Sequence, residues 1–362
     1  MSRLLDSTPR ADGFRMPAEW ERHDRTWMLW PRRPDVWRQG AKPAQRVWVE
    51  PATAISRFEP VSVGVDHEQF DNARALLPPD VRVVEISQND CWMRDSGPSF
   101  VTDDAGAVRL VDWRFNAHGY GLPAWDKDDR VPRKIAEIEG VDRYRAPLVL
   151  EGGSFHVDGQ GTVLTTRECL LNRNRNPELT ESRIEEHLKD YLGAETVIWL
   201  ERGLDPGITS GHVDDVAMFV RPGVVALGLT DDPDDWRHEV LAEDLAILER
   251  SRDAAGRSLE IHKVPLPAEV VLTEDEAAGI DVVDGSLPLP AGFAQAATYI
   301  NCVLCGGGLI MPTFDDPADA AAAAVLGELF PERQIVTVPG REVVPAGGCF
   351  HCITQQQPSG GR

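Results

Sequence analysis

The chain has 362 residues, 42% of them hydrophobic, enough to bury a sizeable core in one large domain or in two. Its 59 acidic residues outnumber 37 basic ones to give a formal charge of −22, which opposes nucleic-acid phosphates and anionic membranes and favours cationic partners. No run of about 18 apolar residues occurs, the polar start Met1-Ser2-Arg3-Leu4-Leu5-Asp6 lacks the apolar centre of a signal peptide, and six cysteines are too few for a disulfide framework, so a cytoplasmic protein with free thiols is expected.

In chain order, Val81-Arg82-Val83-Val84 is the first of several short β-branched runs that read as strands. Thr180 to Leu192 carries Ile184, Leu188 and Leu192 on one helical face before the stop residue Gly193. The strand-like run Thr196-Val197-Ile198-Trp199 follows. Asp234 to Ser251 then repeats the helical spacing with Val240, Leu241, Leu245 and Leu248. Asp316-Pro317 opens a helix through Ala320–Ala324 to Leu329-Phe330, and Gln334-Ile335-Val336-Thr337-Val338 reads as another strand. No flexible linker divides the chain, and the class is mixed α and β. Segments joining apolar strand-like residues to polar or Gly-rich turns recur near Trp27, Asp95, Glu151, His212, Ile300 and Cys352, at separations of 68, 56, 61, 88 and 52 residues. Such uneven recurrence fits degenerate supersecondary units whose loops converge on one site.

Four segments carry candidate chemistry. Trp92, Arg94 and Asp95 precede a Gly-Pro turn; Glu151 ends an apolar run before Gly152-Gly153; Gly211-His212-Val213-Asp214 would, on a strand, point His212 and Asp214 to one face; Cys352 follows the pair Gly347-Gly348. Each alone also has a structural reading: a turn-forming aspartate, a capping glutamate, a satisfied histidine, an inert buried thiol. The pairs Cys302-x-x-Cys305 and Cys349-x-x-Cys352 imitate a zinc site. Their separation, 44 positions from Cys305 to Cys349, exceeds ribbon or finger spacings of roughly 12 to 20, and neither pair opens a helix as a redox motif does. No phosphate-binding glycine loop or dinucleotide fingerprint is present.

Taken together the motifs are specific. Met16-Pro17-Ala18-Glu19-Trp20-Glu21, Thr26-Trp27 with Trp30-Pro31, Trp92 to Pro98, Leu150 to Val157, Cys169-Leu170-Leu171-Asn172, Asn174-Arg175-Asn176-Pro177, Gly211 to Asp214 and His351 to Pro358 span nearly the whole chain. In these the sequence resembles the agmatine deiminases of the guanidino-group-modifying superfamily. The resemblance implies a single catalytic domain over residues 1–362, with about twelve N-terminal and about four C-terminal residues as tails. The implied fold is α/β, a five-bladed α/β propeller of pseudo-fivefold ββαβ units (the pentein fold) with its site on the central axis. It places the nucleophile at Cys352, the general acid/base at His212, acidic residues at Asp95, Glu151 and Asp214, and a channel-lining residue at Trp92. It further implies hydrolysis of agmatine to N-carbamoylputrescine and ammonia through a covalent thiouronium, on the route to putrescine, with no metal or organic cofactor and as a homodimer.

The chemistry suits those residues. A guanidinium is planar and always charged, so paired carboxylates such as Asp95 and Asp214 bind it and present its carbon to sulfur. A thiol is mostly protonated at neutrality, and either protonated His212 or the substrate cation can raise its thiolate fraction. Glu151 is expected to orient His212. The chain departs from the family at Ile208, where a carboxylate that meets the amine of agmatine is usual. Either Asp205 substitutes from a shifted loop, or the substrate is another guanidino compound with a neutral or bulkier tail. Cys349-Phe350, Cys305-Gly306 and His118-Gly119-Tyr120 also depart from the family pattern and are expected near the site. An amidinotransferase and a zinc-stabilised binding scaffold are the remaining alternatives.

Overall fold

The computed structural model describes residues 2–119, 124–205, 207–284, 286 and 289–360. Met1, Tyr120 of the His118-Gly119-Tyr120 departure and the last two residues lie outside them. A short strand, β1 (Leu4–Leu5), precedes the repeating part of the chain. Strands β2 (His23–Leu29), β3 (Val61–Val65) and β4 (Arg82–Glu85) are parallel neighbours joined through α1 (Lys42–Ser56) and α2 (Phe70–Leu76). A single turn, α3 (Met93–Ser96), leads into the antiparallel pair β5 (Ser99–Thr102) and β6 (Val108–Arg114), and α4 (Val131–Glu139) returns the chain to β7 (Arg143–Val149), parallel to β6.

The pattern of an antiparallel pair, a helical crossover and a parallel third strand then repeats. It recurs as β8 (Phe155–Val157), β9 (Thr162–Thr166) and β10 (Thr196–Leu200) around α5 (Arg167–Leu170) and α6 (Glu181–Leu192). Next come β11 (Ala217–Arg221), β12 (Val224–Leu229) and β13 (Glu260–Pro265) around α7 (Trp236–Arg250). After α8 (Glu274–Ala278), the last repeat is β14 (Val303–Cys305), β15 (Gly308–Thr313) and β16 (Gln334–Pro339) around α9 (Ala318–Leu329). Finally β17 (Thr354–Pro358) pairs antiparallel with β2. With β17 counted as its first strand, the first sheet has the same ββαβ plan, and the five sheets form the five-bladed α/β propeller. The parallel crossovers need their helices, because a parallel partner cannot be reached by a hairpin.

The helices form where the apolar spacing places them. In α6 the Thr180 hydroxyl caps the start, Ile184, Leu188 and Leu192 are buried, and Gly193 ends the helix. In α7 Val240, Leu241 and Leu248 are buried and Leu245 is half-buried, while α9 buries Ala322, Leu326 and Leu329. The runs beginning at Val81, Thr196 and Gln334 are strands. The expected N-terminal tail is instead held, since Leu4–Leu5 add to the edge of β7 and Arg109 pairs with Asp12 at 2.7 Å.

The repeat explains the recurrence in the sequence. Asp95, Glu151, His212, Ile300 and Cys352 each lie just before the first strand of a blade, namely β5, β8, β11, β14 and β17. Trp27 does not: it lies within β2, buried, its indole nitrogen donating to Gln357 at 2.8 Å. The long separation between His212 and Ile300 is the segment between β13 and β14, whose Ile280, Ser286 and Leu289 reach the cavity described below.

Candidate active site

The loops that enter the blades converge because each first strand starts at one end of the propeller. Asp95 sits on α3, a turn whose four residues are all buried and whose Ser96 hydroxyl donates to the Trp92 carbonyl at 3.0 Å. Pro98 prevents its extension. The Asp95 carboxylate accepts from the backbone of Gly153 at 3.2 Å and lies 3.2 Å from His118 Nε2. Gly153 is the crossing point: a Cβ there would stand 2.6 Å from His212 Nδ1, 2.9 Å from an Asp214 oxygen and 3.0 Å from an Asp95 oxygen. Only glycine lets these three side chains approach one another.

His212 and Asp214 do not lie on a strand. His212 is extended and Val213–Asp215 form a 3-10 turn, so a turn, and not strand alternation, aims both side chains inward. The two His212 nitrogens are 3.8 Å from Asp95, 3.9 Å from Glu151 and 3.9 Å from Asp214. These are ion-pair distances longer than hydrogen bonds, and neither ring nitrogen has a hydrogen-bond partner among the described residues. Burial disfavours a charged imidazole, but Asp95 chiefly, with Glu151 and Cys169, outweighs it and holds His212 well above its ordinary value.

Glu151 does orient itself, but through a different partner. Its Oε2 accepts from Arg175 Nε at 2.8 Å, both side chains are 0% exposed, and Arg175 Nη2 donates to the Thr209 carbonyl at 2.6 Å. Burial would raise the Glu151 carboxyl; Arg175 above all, then His212 and His118, bring it below the usual carboxylate range. Arg175 stood in the quoted Asn174 to Pro177 motif without a role.

Cys352 is 1% exposed. Its sulfur is 3.1 Å from Asn301 Nδ2 and 3.4 Å from Asp214 Oδ2. Asn301, immediately after Ile300 in the fifth loop, accepts through Oδ1 from the backbone nitrogens of Cys349 (3.0 Å), His351 (2.9 Å) and Cys352 (3.3 Å). One carboxamide thereby shapes the turn that presents the thiol. Gly348 leaves the sulfur room, since a Cβ there would be 2.4 Å from it. Burial, then Asp214, Asp215 and Asp95, push the thiol well above its ordinary value, with only Asn301 acting the other way. Asp215 is itself raised well above the carboxylate range by burial beside Asp214 and Asp205.

The five sequence-predicted residues Asp95, Glu151, His212, Asp214 and Cys352 therefore share one buried cluster. Around it Glu151 Oε1, Asp214 Oδ1 and Asp215 Oδ2 are buried and have no hydrogen-bond partner among the described residues, an arrangement that favours a cation with several N–H donors. Trp92 lies on the wall of an adjoining cavity of about 240 Å³, together with His118, Phe115, Ile208, Asp90 and Asp128. Its ring stacks on Trp37 at 5.5 Å.

Asp205 does not replace a carboxylate at position 208. It is buried, and its two oxygens accept from the backbone nitrogens of Gly207, Ile208 and Thr209 at 2.9–3.0 Å, stabilising its own loop. Among the other departures, His118 touches Asp95, and Cys349 lies in the loop shaped by Asn301. Cys305 does not join the site: it ends β14, its thiol faces the Gly308 carbonyl, and Gly306 donates to Glu59.

Four groups of three donor side chains lie with ligand atoms within 4.8 Å of one another among the described residues: Glu19–His156–His351, Asp95–His118–His212, Glu151–Cys169–His212 and Asp214–Asp215–Cys352. None unites two of the cysteines in the Cys302/Cys305 and Cys349/Cys352 pairs. In each the acids face imidazoles, a thiol or another acid, an acid–base arrangement that is coherent without a metal.

A family model described as Porphyromonas-type peptidyl-arginine deiminase matches residues 15–358. The chain is similar to an agmatine deiminase of Pseudomonas aeruginosa, 54% identical over 98% of both chains, and to a putative agmatine deiminase 1 of Listeria monocytogenes, 51% identical over 99% of this chain and 100% of the relative. Among solved structures, the agmatine deiminase of Enterococcus faecalis superposes with a TM-score of 0.97 at 48% identity, covering 99% of this chain and 100% of the other.

Proposed function

The chain belongs to the agmatine deiminase family, and on that premise we propose that it hydrolyses agmatine to N-carbamoylputrescine and ammonia. The observation that carries the reading is the buried thiol of Cys352, 3.4 Å from Asp214 Oδ2, in one cluster with Asp214 Oδ1 and Glu151 Oε1, buried oxygens that accept no hydrogen bond among the described residues. A guanidinium supplies five donors in a plane and a positive charge, and so satisfies these atoms while placing its carbon against the sulfur.

Asp214, Asp215 and Asp95 oppose ionisation of Cys352, so the cation that reverses their effect is the substrate itself. The thiol proton leaves by way of Asp214, 3.4 Å away. The thiolate attacks the guanidinium carbon, and His212, held protonated among three carboxylates, gives its proton to the departing nitrogen. Ammonia leaves and a thiouronium cation remains on sulfur. Neutral His212 next takes a proton from water; hydroxide adds to the same carbon, and the adduct collapses by cleavage of its C–S bond, the hydroxyl proton returning to the Cys352 sulfur as the product leaves with a neutral ureido group. Asp95 and Asp214 hold the substrate, and Glu151, fixed by Arg175, binds a guanidinium nitrogen and orients His212.

In this proposal the alkyl tail runs past Trp92 into the cavity. Asp205 is engaged in its loop, Asp35 pairs with Arg33 and Asp128 accepts from the backbone of Asn89 and Asp90; Asp90 on the cavity wall, whose Oδ1 accepts from Trp37 and the Cys91 backbone, is assigned to receive the tail ammonium through Oδ2. Ile208 on the same wall favours a second reading, a guanidino substrate with an uncharged or bulkier tail. Ammonia release from agmatine, arginine and 4-guanidinobutyrate separates the two: agmatine should be preferred, and its failure to turn over would overturn the first. We place the reaction in the cytoplasm, on a route to putrescine, in a homodimer of single-domain chains that engages neither nucleic acid nor membrane. The formal charge of −22 supports the lack of nucleic-acid and anionic-membrane contacts, and among the described residues no helix is long and apolar enough to cross a membrane.

A further inference from the structure

One buried charge network joins the site through Asp214, and its other members, His351, Glu19, Arg94 and His156, have no part in the chemistry above. His351 Nδ1 lies 2.7 Å from Asp214 Oδ2, and its Nε2 lies 2.9 Å from Glu19 Oε1. Arg94 donates to Glu19 at 3.1 Å and to the His351 carbonyl at 3.3 Å, and its backbone nitrogen donates to the Cys352 carbonyl at 3.1 Å. His156 completes the group. Its Nδ1 accepts from the Phe219 backbone at 3.3 Å, so its proton sits on Nε2, which faces Glu19 at 3.7 Å, and its ring stacks on that of His351 at 6.2 Å. All five side chains are buried.

A neutral imidazole has one donor and one acceptor nitrogen, whereas both nitrogens of His351 face carboxylate oxygens. With both protonated, His351 and Arg94 balance Asp214 and Glu19, and the buried group carries no net charge. We infer that His351 is a positioning residue: as an imidazolium bridging Glu19 and Asp214, it keeps Asp214 ionised and turned so that Oδ2 lies by the Cys352 sulfur while Oδ1 stays open to the guanidinium. Two independent features agree. Asp214 Oδ1 is a buried acceptor with no donor among the described residues. Burial and Arg94 work against charge on His351, yet Glu19 and Asp214 raise it, and the same contact, with His351 foremost among the counter-charges, brings Asp214 below its ordinary value against burial. The groups facing His351 are Asp214, Glu19, Arg94 and His156; those facing Asp214 beyond it are His212, Asp215 and Cys352.

The inference rests on the proposed reaction for its kinetic readout, but its direct test needs no turnover. Ring ¹⁵N shifts of the full chain, with His351 assigned by its absence from His351→Gln or, should that variant not fold, by its movement in Glu19→Gln, should show both nitrogens protonated at pH 8. A neutral tautomer there would overturn the inference while leaving the deiminase reading intact. In Glu19→Gln, which touches neither substrate nor nucleophile, the charged contacts of Glu19 with His351 and with Arg94 are lost together. KM for agmatine should rise about tenfold with kcat changed less, and the alkaline limb of kcat/KM should move to lower pH. An unchanged KM and an unchanged alkaline limb would also overturn it.

Discussion

Replacing Arg175 by methionine keeps the length of the side chain and removes its charge. Glu151 is then a carboxylate with 0% side-chain exposure and no cation at 2.8 Å. Stranding one member of a buried pair costs about 3–5 kcal/mol, whereas removing both members together is far less harmful. Arg175→Met should therefore lose about 3–5 kcal/mol and, at roughly 2 °C per kcal/mol for a large chain, melt about 6–10 °C lower. Glu151→Gln/Arg175→Met should recover most of that loss. The pH dependence has a definite sign. Glu151 is depressed in the folded protein, so its contribution is present above the unfolded carboxyl value near 4.3 and is lost as pH falls. Arg175→Met removes that contribution, and the gap to wild type should narrow on acidification. Thermal unfolding of the four proteins of the cycle at pH 7.5 and pH 3.5, on either side of the unfolded carboxyl value, measures both effects. A double variant no more stable than Arg175→Met would refute the assignment of Arg175 as the charge that makes Glu151 tolerable.

Cys352→Ser should retain the circular dichroism of the parent and lose turnover; more than about a hundredth of wild-type activity would count against sulfur as the nucleophile. Gly153→Ala inserts a methyl group 2.6–3.0 Å from His212, Asp214 and Asp95, and should lower kcat/KM about a hundredfold, a misplacement of the reacting groups that kinetics would show directly. Because Cys352 is raised well above an ordinary thiol, its alkylation by iodoacetamide at pH 7.5 should be more than about tenfold slower than that of free cysteine and still rising at pH 9; a plateau below pH 8 would contradict the electrostatics. Asp90→Asn should raise KM for agmatine about tenfold and leave that for 1-butylguanidine unchanged, so equal effects on both would remove Asp90 from the tail site.

Much of the site was legible because its residues recur at equivalent points of a repeat. Asp95, Glu151, His212 and Cys352 all lie at polar or glycine-rich turns that lead into a strand, and composition changes sharply at such turns. Asn301 escaped because its role is made by three backbone nitrogens that come from residues about fifty positions away. Arg175 and His351 lay in plain view within motifs, but their partners Glu151, Glu19 and Asp214 are brought to them by the closure of the propeller. His212 and Asp214 were expected to share the face of a strand, and a 3-10 turn gives the same convergence by another geometry. Trp27 was grouped with the site loops because the first blade borrows its opening strand from the C-terminus, a register that linear spacing does not show. Asp205 was considered for the tail ammonium because a carboxylate nearby in sequence suggests itself; three backbone donors in its own loop decide otherwise.

Mass spectrometry of the chain, acid-quenched at successive times after mixing with agmatine, interrogates the covalent step itself. An amidino adduct confined to the peptide bearing Cys352, forming no more slowly than ammonia is released and absent from Cys352→Ser, is the expected result. Sustained ammonia release with that peptide unmodified at every quench time would contradict attack by Cys352.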